Sequence, residues 1–247
     1  MTVVLKLGGS VITEKHHEAT VASNRLERIA HELRDSRGED LVLILGGGSF
    51  GHPPAERHGM TATTGSRDPQ AIAEVHRSML DLVTHVVDRL VAEGIPAVAL
   101  HPLSMARREG DSLTVHLEPA LTALEEGFVP VLHGDGVFTT DHGVTILSGD
   151  DLVVEAAREL DANRVGLCTS EAGVLDEAGA VVDHIGSFEQ VEAVLGESES
   201  TDVTGGMARK VAVMIELGRP ASIFHLDELG SFLSGGRPGT IIDTSGR

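Results

Sequence analysis

The chain holds only three lysines, Lys6, Lys15 and Lys210, although it is otherwise well supplied with arginine. Lys6 stands in VVLKLGGS, just before Gly8, Gly9 and Ser10; Lys15 follows closely in SVITEK; Lys210 closes DVTGGMARK. A compact ammonium and a planar guanidinium are not interchangeable at a crowded phosphate. Glycine lets a backbone turn sharply and brings its N–H groups close to an anion. Lysines kept beside glycine turns therefore point to phosphate chemistry, with Lys6, Lys15 and Lys210 as the functional charges.

Other glycine turns repeat the theme. GGGSFGH follows the apolar run Leu41 to Leu45 and satisfies G-x-G-x-x-G. The expected continuation is a long polar loop, HPPAERHGMTATTGSRDP, and not the helix and third strand of a dinucleotide fold. The segment misses a P-loop by one residue, with His52 where the lysine would stand. His52 is then a candidate contact for a second phosphate. SGDD, residues 148 to 151, opens a helix. Of its two acids, Asp150 is read as holding lysines or magnesium near phosphates, and Asp151 as the helix cap. A helix from Met207 to Leu217 would carry Lys210 in its first turn, with the preceding glycine pair offering free N–H groups to a phosphate.

These motifs need a scaffold. Short apolar runs at Val3 to Leu7, Leu41 to Leu45, Ile95 to Leu100, Phe128 to Leu132, Arg164 to Cys168, Ala221 to His225 and Thr240 to Ile242 read as buried strands. Helical spacing marks Asn24 to Leu33, Pro69 to Leu90 and Glu118 to Glu126. Met79 and its neighbours on the second helix read as core, with part of the stripe available to line an apolar substrate pocket. Asp141-His142-Gly143 joins a hairpin, Val137–Thr140 with Val144–Leu147. His101 to Arg108 and the histidine-bearing Val11 to Ala22 read as loops, and a serine-rich loop is expected at GESESTD. The β-α alternation predicts an α/β fold with a mainly parallel sheet and helices on both faces.

Composition sets outer limits. The 247 residues are 41% hydrophobic but only 2% aromatic, so the core is aliphatic. Against 38 acidic residues stand 19 basic ones, a net charge of −19, which disfavours nucleic acid and anionic membranes as partners. Such acidity resembles proteins of a high-salt cytoplasm. The single cysteine, Cys168, permits no internal disulfide and reads as a buried strand residue. No signal peptide or membrane span is evident, so a cytoplasmic protein is expected.

The ordered set KLGGS, GGGSFGH, HGD, SGDD and DVTGGMxxK resembles the amino-acid kinase superfamily along essentially the whole chain, and within it the isopentenyl phosphate kinases. The histidine ending GGGSFGH is the most discriminating feature, because superfamily kinases of carboxylates have no acceptor phosphate to grip. The resemblance implies a three-layer αβα sandwich, usually dimeric, with residues 1–150 as acceptor lobe and 151–247 as nucleotide lobe of one continuous domain. It implies transfer of the γ-phosphoryl of Mg-ATP to isopentenyl phosphate. Lys6 and Lys210 would stabilise the moving phosphoryl, Asp150 would orient both, and Lys15 would neutralise charge between the substrates. His52 with Gly47, Gly51 and Gly149 would hold the acceptor. Gly8, Gly9, Ser10, Gly48, Thr169, Glu171, Gly205 and Gly206 would hold the nucleotide. No protein metal ligand is implied. TSEAGV departs from the aspartate-bearing turn common among relatives. The alternatives are a fosfomycin-kinase-like enzyme acting on another phosphate or phosphonate, and a non-catalytic nucleotide-binding storage or regulatory protein.

Overall fold

Alternation along β1 (Thr2–Leu7) sends its residues to two different cores. Val3, Leu5 and Leu7 pack on one side of the sheet and Val4 on the other, and Lys6 shares the face of Val4. The computed structural model describes residues 1–35, 39–190 and 203–244. β1 sits near the middle of an eight-stranded sheet, between β2 (Asp40–Leu45) and β9 (Arg164–Thr169), parallel to both. Beyond β2 lie β6 (Val129–His133) and β3 (Ala97–Ala99); beyond β9 lie β11 (Ala221–His225), β12 (Thr240–Ile242) and β10 (His184–Ile185). Only the β11–β12 pair is antiparallel.

Helices cover both faces, as the β-α alternation predicts. α2 (Ser23–Asp35), α4 (Pro69–Ala92) and the short α9 (Leu229–Leu233) close one core. α7 (Gly149–Glu159) and α8 (Val203–Leu217) close the other, together with the side of α6 (Glu118–Glu125) that carries Ala120. The broad apolar stripe of α4 does what its periodicity predicts: Val75, Met79, Leu82, Val83, Val86 and Leu90 are all buried. No described helix is long and apolar enough to cross a membrane.

Two regions differ from expectation. A second, four-stranded sheet joins β4 (Ala106–Glu109), β5 (Ser112–Val115), β7 (Asp135–Thr139) and β8 (Gly143–Leu147) in the order β5-β4-β7-β8. The sequence predicts only its β7–β8 hairpin; the short α5 (Pro102–Met105), β4 and β5 fall in and after a stretch that reads as loop. The stretch after β2 is helical at once. α3 runs from Gly48 to Arg57 with Pro53 and Pro54 inside it. Each proline withholds the N–H that would meet the carbonyl four residues back. Those two carbonyls are taken from elsewhere: Ser49 O accepts from the Ala19 N–H at 3.0 Å, and Phe50 O from Ser78 Oγ at 2.7 Å. The serine-rich segment GESESTD, residues 196–202, lies outside the described residues.

Candidate active site

Lys6 comes next to last in β1, with Ile44 and Leu167 beside it in register, and is only 6% exposed. Its stem runs past the start of α7. There Ser148 caps the helix, accepting from the Asp151 N–H at 3.1 Å, and Gly149 is the first helical residue. A Cβ on Gly149 would come within 3.2 Å of both Lys6 Cε and Leu45 O, so a larger residue there would push the lysine aside. Asp150 follows, and its Oδ1 accepts from Lys6 Nζ at 2.6 Å in a buried ion pair.

Lys210 faces the same carboxylate. Burial lowers its pKa, opposed by Asp150 and reinforced by the like charge of Lys6. Burial pushes the Asp150 carboxyl upward, but Lys6, Lys210 and Arg209 together outweigh it and hold it below the usual carboxylate range. Two ammoniums thus confront one buried carboxylate. The surplus positive charge is costly without an anion to meet it, which is what a transferring phosphoryl group supplies.

Two glycine turns frame the pair. α1 (Gly9–Ile12) and α3 begin against each other, and a Cβ on Gly9 would lie 2.2 Å from Gly48 N. Gly48 also has φ +47°, a conformation other residues rarely adopt. The buried hydroxyl of Thr13 bolts the turns together, donating to Gly9 O at 2.8 Å and accepting from the Ser49 N–H at 3.0 Å. Thr13 has no motif around it and passes unnoticed in the sequence.

The remaining candidates divide. Lys6, Asp150, Lys210 and Gly149 come together, and Gly8, Gly9, Gly47 and Gly48 form the touching turns beside them. Ser10 bonds Ser170 at 3.1 Å, tying α1 to the TSEAG turn, where Thr169 exchanges hydrogen bonds with the Glu171 backbone. Ser10, Thr169 and Ser170 also border a crevice of about 300 Å³. Lys15 is exposed in the turn after α1, and His52 is exposed on α3 next to Gly51. Neither makes a hydrogen bond or ion pair with the Lys6 group among the described residues. Gly205 and Gly206 lie inside α8, which starts at Val203, so Lys210 is two turns into the helix and Nζ bonds Gly206 O at 3.0 Å. This corrects the expectation of a helix start after the glycine pair. Asp151 is not the cap either: that is Ser148, and Asp151 instead receives Arg209 at 3.0 Å. Cys168 is fully buried, its thiol pushed up to about 12 by burial, as a core residue should be.

A second polar group sits at the far end of the same sheet edge, and sequence reasoning missed it apart from the HGD motif. His133 Nδ1 bonds Gly134 O at 3.0 Å, leaving Nε2 to accept from His101 Nδ1, also at 3.0 Å. His76 Nδ1 bonds Asp135 Oδ2 at 2.8 Å, and Asp135 Oδ1 accepts from the Gly136 N–H at 2.7 Å. Burial drives His133 down to about 4 and raises Asp135.

A nearly parallel αβα sandwich with opposed lysines around an acid defines a class, and the family model for the amino acid kinase family matches residues 1–223. The chain belongs to that family. Its relatives narrow the group: it is 46% identical over 242 residues, covering 97% of this chain and 98% of the other, to a protein of Haloferax volcanii named isopentenyl phosphate kinase. A protein of the same name from Methanothermobacter thermautotrophicus is 35% identical, with 87% and 86% covered. Among solved structures, one described as isopentenyl phosphate kinase superposes with a TM-score of 0.84 at 29% identity, covering 98% of this chain and all of the other.

Proposed function

We propose that the protein transfers the γ-phosphoryl of ATP to isopentenyl phosphate, giving isopentenyl diphosphate and ADP. The observation that carries this reading is the buried Lys6–Asp150 pair facing Lys210 beside two interlocked glycine turns. The relatives' shared name supplies the acceptor. The acceptor oxygen belongs to a phosphate and is already ionised at neutral pH, so no strong base is needed. Transfer then depends on positioning and on cancelling charge. Lys6 and Lys210 stabilise the moving phosphoryl, and Asp150 keeps both ammoniums aimed at it. Lys15 offsets charge between the substrates, and His52 with Gly47, Gly51 and Gly149 holds the acceptor phosphate. Residues 1–150 serve as the acceptor lobe and 151–247 as the nucleotide lobe, where Gly8, Gly9, Ser10, Gly48, Thr169, Glu171, Gly205 and Gly206 contact the nucleotide. The same reading takes the enzyme to be a cytoplasmic homodimer, as the family resemblance implies.

No group of three or more histidine, cysteine or acidic side chains among the described residues could cage a metal, and Asp150 is committed to Lys6. A magnesium ion accompanying ATP fits this site as one held mainly by phosphate and water oxygens, where it would neutralise charge.

The test is a coupled assay offering ATP with isopentenyl phosphate or with fosfomycin. Turnover with isopentenyl phosphate is expected; turnover on the phosphonate alone, or ATP binding without transfer, overturns the reading. His52→Ala is expected to raise KM for the acceptor roughly 10- to 150-fold, the loss of a hydrogen bond to a charged group, while KM for ATP stays put.

A further inference from the structure

Consecutive acids at the start of α7 face consecutive bases on α8, and one of the two pairs is in direct contact. Asp150 faces Lys6 and Lys210, while Asp151 Oδ1 accepts from Arg209 Nη2 at 3.0 Å. On its other side, Asp151 Oδ2 stands 3.8 Å from Nη2 of Arg108, which comes from β4 of the small sheet. That gap exceeds the roughly 2.8 Å of a charge-assisted hydrogen bond. Yet Asp151 Oδ2 and both Nε and Nη2 of Arg108 are buried, with no hydrogen-bond partner among the described residues. The Asp151 and Arg108 side chains are only 17% and 19% exposed. Buried ionic atoms without a hydrogen bond are unfavourable, and here a carboxylate oxygen stands 3.8 Å from a guanidinium with two such nitrogens.

The Arg209 side of the contact is half exposed, so as a surface ion pair it is worth little. Its geometry matters more. Neighbouring residues on a helix point about 100° apart, so fixing where Arg209 points also fixes where Lys210 points.

We propose that Asp151, held between Arg209 and Arg108, is a positioning residue for phosphoryl transfer: it sets the rotation of α8 that aims Lys210 at Asp150 and the moving group, and it ties that helix to the small sheet. This rests on the kinase reading above. It differs from a capping role, which Ser148 already fills, and from a metal-ligand role.

The experiment compares Asp151→Asn, Asp151→Glu, Arg209→Gln and Arg108→Gln with the wild type in ATP and isopentenyl phosphate, alongside thermal midpoints. Misplacing one cation at a reacting centre is expected to lower kcat about tenfold in Asp151→Asn and Arg209→Gln, with both KM values within about threefold. Asp151→Glu should recover part of the loss. Arg108→Gln should lower kcat less, and adding it to Asp151→Asn should cost nothing further, as expected for partners in one contact. Lys210 is also followed without turnover, by its acylation rate in the intact apoprotein, which should rise severalfold in Asp151→Asn. Failure of the wild type to use isopentenyl phosphate strikes the functional reading alone, because the acylation arm stands independently of substrate. Should Asp151→Asn not fold, Arg209→Gln changes an exposed side chain and carries both arms. Unchanged kcat and acylation in the Asp151 and Arg209 variants would overturn the proposal. So would a marked rise in the magnesium concentration needed for half-maximal rate, which would make Asp151 a metal ligand.

Discussion

The C-terminal edge of one sheet buries polar side chains in two places by opposite means. At the end of β1, charges are set against one another: Lys6 pairs with Asp150 at 2.6 Å, and Lys210 adds a second positive charge that helps hold the Asp150 carboxyl down. At the ends of β3 and β6, His101 and His133 are held neutral: burial lowers both pKa values, and a chain of ring hydrogen bonds fixes where the protons sit. The first group has more positive than negative charge and needs an anion to complete it. The second is complete as it stands. On the proposed function, the difference separates a site that acts on a phosphate from one that holds strands together.

The largest expected effect comes from removing a charge at the first group. Lys6→Ala should lower kcat by roughly 10²-fold or more, because the stabilisation it removes is realised mainly in the transition state. It should also destabilise the fold, since the buried Asp150 loses its 2.6 Å partner and keeps only the more distant charges of Lys210 and Arg209. Lys6→Arg should rescue poorly, because a planar, forked guanidinium does not reproduce the compact ammonium that meets Asp150 at 2.6 Å. Near-normal turnover in the arginine variant would reduce Lys6 to an ordinary strand-end charge. The pH profile adds a check of sign. Lys210 acts protonated and its pKa lies below the ordinary 10.5, so kcat should fall as pH rises through that lowered value. Lys210→Arg, whatever its rate, should move the alkaline limb upward.

The second group should show itself in acid stability. His133 titrates at about 4 when folded, against 6.5 for a free histidine. Between those values the unfolded chain binds the extra proton, so stability should fall as pH drops through that window, by about 3 kcal/mol for this residue. Asp135 works in the opposite sense, because its raised pKa lets the folded state take a proton first. Comparing urea denaturation of the wild type and His133→Asn from pH 7 to pH 4 isolates the histidine, and the variant should show the shallower decline. An identical slope would mean that His133 is not what burial makes of it.

These two groups were unequally legible in the sequence. Lys6 and Lys210 stand out because lysine is rare here and glycine flanks it, and SGDD opens a helix by familiar capping rules. The central strands announce themselves as apolar runs. His76, His101 and His133 come from three separate elements, and nothing in their spacing tells that they meet. α3 covers residues that in the sequence read as a glycine turn and the start of a polar loop, and the two prolines inside it hide the helix. The groups that compensate them, Ala19 and Ser78, lie about thirty residues away in either direction. β4 and β5 carry Arg107, Arg108, Glu109 and Ser112, polar residues of a small sheet that lack the signature of a buried strand. Tertiary pairing decided each of these places, and local propensity could not reach it.

The smallest expected effect is also the most direct test of the contrast, because the same chemical change can be made in both groups. Asp150→Asn removes the counter-charge between two lysines and should lower kcat by about 10²-fold. Asp135→Asn should leave kcat within about threefold. The new amide keeps an oxygen to accept the Gly136 N–H, and its NH₂ faces His76 Nδ1, which can accept once the ring proton moves to Nε2. The His76 side chain is a quarter exposed, so that Nε2–H can find water. What is lost is the difference between a charged and a neutral hydrogen bond, about 1 kcal/mol, visible as a small drop in thermal midpoint. Steady-state kinetics and melting curves of the two variants, measured side by side, decide the matter. A tenfold or greater fall in kcat for Asp135→Asn would join the histidine group to the catalytic machinery and erase the division between them.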